Sequence, residues 1–243
     1  SWPKQDVDRH LARHYPAYWL RVDLERQVRH ADLIRRAEAE GASVQFDIQT
    51  DTFRAITELT ITVPDHPRLL SMVTGACAAA NANIVDAQIF TTVDGRALDV
   101  LSISRAFPDE EDERRRAERI VGSIAQALRG EIRLTQFVAE RTARKSRPPR
   151  AFAIQPELLL NNTLSDRFTV IEVSGLDAPG LLFDLTRVIA DLALNIGSAH
   201  VATFGERVVD VFYVTDLLGK KIETETRQEA IRAALLAVFQ TKA

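Results

Sequence analysis

The chain has 243 residues, of which 46% are hydrophobic and 27% charged, with 31 basic and 34 acidic side chains and a net charge of −3. This is ordinary usage for a globular protein of about two domains, and it excludes a nucleic-acid binder that works through bulk positive charge. A single cysteine, Cys77, excludes an intrachain disulfide framework and any CxxC metal or redox site.

No apolar run approaches the roughly 18 residues of a membrane span, and the first residues, SWPKQDVDRH, carry no signal-peptide core, so a cytoplasmic protein without membrane contact is expected. The chain opens on Ser1 rather than Met, and is expected to be part of a longer product.

Residues 1–42 read as helical. Asp23 is an N-cap for LERQVRHADLIRRAEAE, in which Leu24, Val28, Ala31 and Leu33 or Ile34 recur at helical spacing before Gly41 stops the run. From Val44 the period changes to two: VQFDIQ and AITELTITV form a hairpin ending at Pro64. LLSMVTGACAAAN is an apolar helix. IVDAQIFTTV and RALDVLSISRAF form a second hairpin, with Asp94-Gly95 able to hold the positive φ angles of its turn. A further helix starts in the acidic run Asp109 to Glu113, where negative charge meets the positive helix end.

That order of elements then repeats. Asp65 recurs as Asp177, Pro67 as Pro179, Leu69-Leu70 as Leu181-Leu182, Thr74 as Thr186 and Asn83-Ile84 as Asn195-Ile196, all at an offset of 112. Past the second hairpin turn the offset becomes 111, pairing Asp99-Val100 with Asp210-Val211. Each repeat supplies strand, helix, strand, strand, helix. A fourth strand must come from before each repeat, from VQFDIQ in the first and from PELLLNNTLSDRFTVIEV in the second. The predicted fold is α+β: two tandem ferredoxin-like units, each a four-stranded antiparallel sheet with two helices on one face, after a short helical segment. The expected boundaries are 1–42 for the helical segment, 43–140 and 155–243 for the two units, and 141–154 for an exposed linker containing RTARKSRPPR.

The loop Leu176–Leu182 joins a strand to a helix. Pro179 is pre-set for a first helical turn, Gly180 removes a Cβ that would block close approach, and unpaired amides there suit a carboxylate. Asp177 can accept from an ammonium, and Asn195 adds an amide that both donates and accepts. Together they describe a clamp for a free amino acid. The first repeat departs from the pattern at one point, with Arg68 in the place of Gly180.

The repeated βαββ pattern with its D-x-P-G-L-L loop resembles the ACT domain, a module that binds amino acids between paired copies. The blocks PAYWLRVD, ELTITVPDHPRLL, DAQIFTTVDGRALDVL, SGLDAPGLLFDLTRVIADL and GERVVDVFYVTD extend the likeness to the whole chain. Together they resemble the C-terminal region of the bifunctional uridylyltransferase/uridylyl-removing enzymes, with residues 1–42 similar to the end of the family's HD domain. The resemblance implies a sensor of L-glutamine, the protein PII as partner through upstream catalytic domains, and Mg or another divalent metal in those domains. Carried over by position, the ligand residues are Asp177, Pro179, Gly180, Leu181, Asn195 and Ile196 in the second repeat. In the first they are Asp65, Pro67, Arg68, Leu69, Asn83 and Ile84.

No catalytic, cofactor or metal site is expected in the chain. Asp6-Val7-Asp8 lacks a preceding Gly-Ser, and no His is followed by Asp. His10, His14 and His30 are read as surface or packing residues, and Cys77 as a small core residue. An RNA-binding reading fails because GRALDVLSI and GERVVDVFYV lack alternating stacking aromatics. A module for self-association without a ligand is the alternative that the same residues allow.

Overall fold

The structure, a computed structural model, describes residues 2–136, 138 and 155–242, so the whole of the expected linker, 141–154, lies outside the described residues. Three helices open the chain: α1 (Lys4–Arg13), α2 (Pro16–Arg21) and α3 (Leu24–Glu40). The Asp23 carboxylate accepts from the Arg26 N–H to start α3, and Gly41, at φ 60°, ends it. The buried side of α3 differs from the expected one. Leu24 and Val28 are 75% and 56% exposed, while His30, Leu33, Ile34 and Ala37 are buried. The first turns of α3 are anchored by charge instead, with Arg26 and Arg29 both paired to Glu58.

The first repeat runs β1 (Gln45–Asp51), β2 (Ile56–Pro64), α4 (Leu69–Ala79), β3 (Ile84–Thr91), β4 (Arg96–Ser104) and α5 (Glu110–Leu128). Gly95 takes φ 76° in the β3–β4 turn, and Asp109 accepts from the Glu111 and Asp112 N–H groups to cap α5. The second repeat runs β5 (Glu157–Asn161), β6 (Thr169–Leu176), α6 (Leu181–Asp191), β7 (Leu194–Phe204), β8 (Arg207–Asp216) and α7 (Glu225–Lys242).

The two expected four-stranded sheets are one sheet of eight strands, in the order β1-β2-β4-β3-β7-β8-β6-β5. They join through antiparallel β3 and β7, where Gln88 lies opposite His200, its own counterpart at the repeat offset. Thr74 and Thr186, also counterparts, meet hydroxyl to hydroxyl at 3.1 Å where α4 packs on α6. The repeats are thus related by a local two-fold axis, with the same surface of each meeting its equivalent.

Side-chain alternation sorts the two faces of the sheet. Leu59, Ile61 and Leu101 point to α4 and α5, and each such buried side chain contributes about 1.5–3 kcal/mol. Phe90 and Leu98 point the other way, against Tyr18 and Val22 of the opening helices. Residues 1–42 therefore cover the face of the first repeat that its own helices leave open. His10, His14 and His30 are buried there, and Cys77 is buried under α4's own repeat. Burial pushes the His14 and His30 pKa values down to about 3 and the Cys77 thiol up to about 12.

Candidate functional site

In the second repeat the chain leaves β6 at Leu176 and enters α6 at Leu181. Gly180 sits in the left-handed region at φ 74°. The Asp177 N–H donates to Glu206 O at 2.7 Å, the Leu181 N–H to Ala178 O at 2.9 Å and the Asp184 N–H to Gly180 O at 3.1 Å. The amides of Leu182 and Phe183 have no backbone hydrogen-bond partner among the described residues, as is usual for the first turn of a helix. These residues line a cleft of about 80 Å³ whose other wall comes from the first repeat, at Asn81, Asn83 and Ile84.

Six of the predicted residues, Asp177, Pro179, Gly180, Leu181, Asn83 and Ile84, meet in this one cleft. They meet across the repeats rather than within one. The expectation that Asn195 closes over the Asp177 loop of its own repeat is corrected by the structure. Antiparallel pairing of β3 with β7 sets the start of α6 beside the end of α4. Asn195 lines a different cavity, while Ile196 is buried in the core, although β3 and β7 carry the same register shift after Ile84 and Ile196. The sequence reading missed Asn81, which lines the cleft and holds φ 57°; its counterpart Ala193 holds φ 55°.

The first loop has the same hydrogen-bond plan, Leu69 N–H to His66 O at 2.9 Å and Met72 N–H to Arg68 O at 3.0 Å. Its backbone differs at the substituted position, because Arg68 stays at φ −96° where Gly180 is left-handed. Pro67 is exposed and Leu69 is buried in the core. The Arg68 guanidinium is 61% exposed and lies 3.0 Å from Asp191 at the end of α6, so it ties this loop to the other repeat instead of filling its own. Asp65 accepts a hydrogen bond from the Thr91 hydroxyl at 3.1 Å.

Behind each loop stands a buried carboxyl group that the sequence reading placed in the repeat and not in the site. Asp99 and Asp210 are 0% and 1% exposed, on β4 and β8. Among the described residues, both Asp99 oxygens and Asp210 Oδ1 lack a hydrogen-bond partner. Burial, and then the negative field of Asp177, pushes the Asp210 pKa up to about 7 against the pull of the Ala202 N–H. Burial, and then Asp65, raises Asp99 well above the usual carboxylate range.

A strand-to-helix loop repeated about a two-fold axis, in one shared antiparallel sheet, defines a tandem ACT-domain protein. The sequence matches the ACT domain over residues 57–121 and the ACR family N-terminal ACT domain over residues 164–242, and the chain belongs to the ACT-domain family. Over nearly its whole length it is similar to the bifunctional uridylyltransferase/uridylyl-removing enzyme of Bradyrhizobium diazoefficiens, at 58% identity across 98% of this chain and 26% of that protein. The enzyme of the same name from Rhodopseudomonas palustris is 58% identical across 97% of this chain and 26% of its own length. The chain thus spans about a quarter of these relatives. A solved aspartate kinase from Synechocystis aligns with 77% of this chain and 27% of its own, at 13% identity and a TM-score of 0.42.

Proposed function

We propose that this chain is the regulatory, glutamine-sensing region of a bifunctional enzyme that transfers UMP to the protein PII and removes it again. The observation that carries this reading is the cleft in which Asp177–Leu181 of one ACT domain meets Asn83–Ile84 of the other. The start of α6 suits the ligand carboxylate, Asp177 its ammonium group, and the Asn83 amide a side-chain carboxamide. Asp210, neutral below pH about 7, adds no second full charge beside Asp177 at that pH.

A ligand in this cleft touches both domains, so it favours the packing of α4 on α6 that fits it best. The resulting shift in the enzyme's two activities is bounded by the ligand's differential affinity for the two packings, typically about 1–3 kcal/mol. The β3–β7 pairing already consumes, within one chain, the strand edge that a plain self-association module would offer to a second one.

Calorimetric titration of the 243-residue chain with L-glutamine tests the reading. Saturable heat and a raised melting temperature are expected. Asn83→Ala, at an exposed position, should leave the melting temperature unchanged and weaken binding by about tenfold. No heat and no thermal shift at millimolar glutamine would overturn it.

A further inference from the structure

The Asp177 cleft leaves Asn195 and the PAYWLRVD block unused. Both belong to a second cavity, of about 300 Å³, on the sheet face covered by the opening helices. It is bounded by the α1–α2 turn, by Phe90 of β3, by Asn195 and Ser198 of β7, and by Phe168 before β6, so it borders the helical segment and both ACT domains.

We propose that this cavity is a ligand site for a small planar heterocycle carrying a carboxylate or a phosphate. Its walls are aromatic, and ring faces select a flat ligand. Phe168 lies against the β7 backbone so closely that a Cβ on Gly197 would stand 2.5 Å from its ring. The Arg167 guanidinium stands 4.7 Å from the Tyr15 ring centroid and 5.2 Å from that of Phe168, and has no carboxylate within ion-pair distance among the described residues. It is exposed at the cavity margin, a cation held by rings and ready for an anion.

The polar groups at the cavity fit a heterocycle better than a hydrocarbon ring. The Asn195 carboxamide and the Ser198 hydroxyl make no side-chain hydrogen bond among the described residues, and the buried His14 Nε2 has no partner. A carboxamide offers one acceptor and a donor side by side, the complement of a ring edge with adjacent N–H and C=O. His14 is held neutral by burial, so Arg167 supplies the cavity's positive charge and the ligand's anionic group belongs at its margin. The volume is at the lower end for small-molecule sites, enough for one ring and its substituents.

The test is calorimetry on the full chain with saturating L-glutamine present, which keeps this cavity separate from the Asp177 cleft. The probes are orotate as the ring carboxylate, uridine 5′-monophosphate as the phosphate, uracil without an anion and cyclohexanecarboxylate without a planar ring. Saturable binding of orotate or of the monophosphate is expected, and the tighter of the two identifies the anion. Uracil and cyclohexanecarboxylate should each bind at least about tenfold more weakly. Arg167→Gln should weaken the better probe by about tenfold without changing the melting temperature, and Asn195→Ala should weaken it through the ring edge. Three outcomes overturn the proposal: neither anion binds at millimolar concentration, cyclohexanecarboxylate binds as well as orotate, or Arg167→Gln binds like the parent chain. Failure of glutamine to bind would leave it standing.

Discussion

Replacing Asp210 by Asn tests whether the buried carboxyl behind the Leu176–Leu182 loop is held protonated. In the folded chain its pKa is raised from 3.8 to about 7. The folded state therefore keeps a proton that the unfolded state has lost between those values, and stability falls as pH rises through that window. The full rise corresponds to about 4 kcal/mol, of which about 3 kcal/mol lies between pH 5 and pH 8. Asn cannot ionise but retains an oxygen for the Ala202 N–H, so that part of the pH dependence disappears. The buried histidines work in the opposite direction: with folded-state pKa values near 3 for His14 and His30, stability rises with pH up to their ordinary value of 6.5. Their contribution is common to both proteins and cancels in the difference.

The quantity to measure is the stability of Asp210→Asn minus that of the parent chain, by urea titration at pH 5, 6, 7 and 8. It should shift in favour of the variant by about 3 kcal/mol over the range, whatever its offset at pH 5. In thermal melts that is about 6–12 °C for a protein of this size. A difference constant to within about 1 kcal/mol would falsify the protonated-carboxyl argument.

Three glycines give further backbone predictions. Gly75→Ala would set a Cβ 2.8 Å from the Phe183 ring and 3.2 Å from Leu134, and should cost about 1–3 kcal/mol by forcing α4 off α6. Gly122→Ala, with nothing within 4 Å, should be neutral or stabilising in the same melts. Gly180→Ala must adopt φ 74° and should lose about 1–2 kcal/mol in denaturant titration, while Gly180→Asn, which tolerates the left-handed region, should recover part of it.

Element type and repetition were legible in the residues because both are local. The alternation in AITELTITV, the Asp109 cap and the 112-residue offset between Asp65 and Asp177 need no knowledge of what lies across the sheet. The D-x-P-G-L-L loop was legible as a strand-to-helix junction for the same reason, since the first turn of a helix leaves amides without intrahelical partners whatever surrounds it. Which asparagine faces that loop was not legible. It depends on β3 pairing with β7 rather than with a strand of another copy, which brings the start of α6 beside the end of α4 and Asn83.

The amino-acid sequence by itself determined two ACT units, their internal strand order and the loop that starts α6, because propensity, capping and side-chain period act over a few residues. Only the tertiary structure decided that the units share one sheet, that Asn83 and Asp177 line one cleft, and that Leu24 and Val28 stay exposed while Glu58 anchors α3. Such choices are made between segments far apart in the chain. The repeats place the same residues at each end, so nothing local says which copy of a residue meets which.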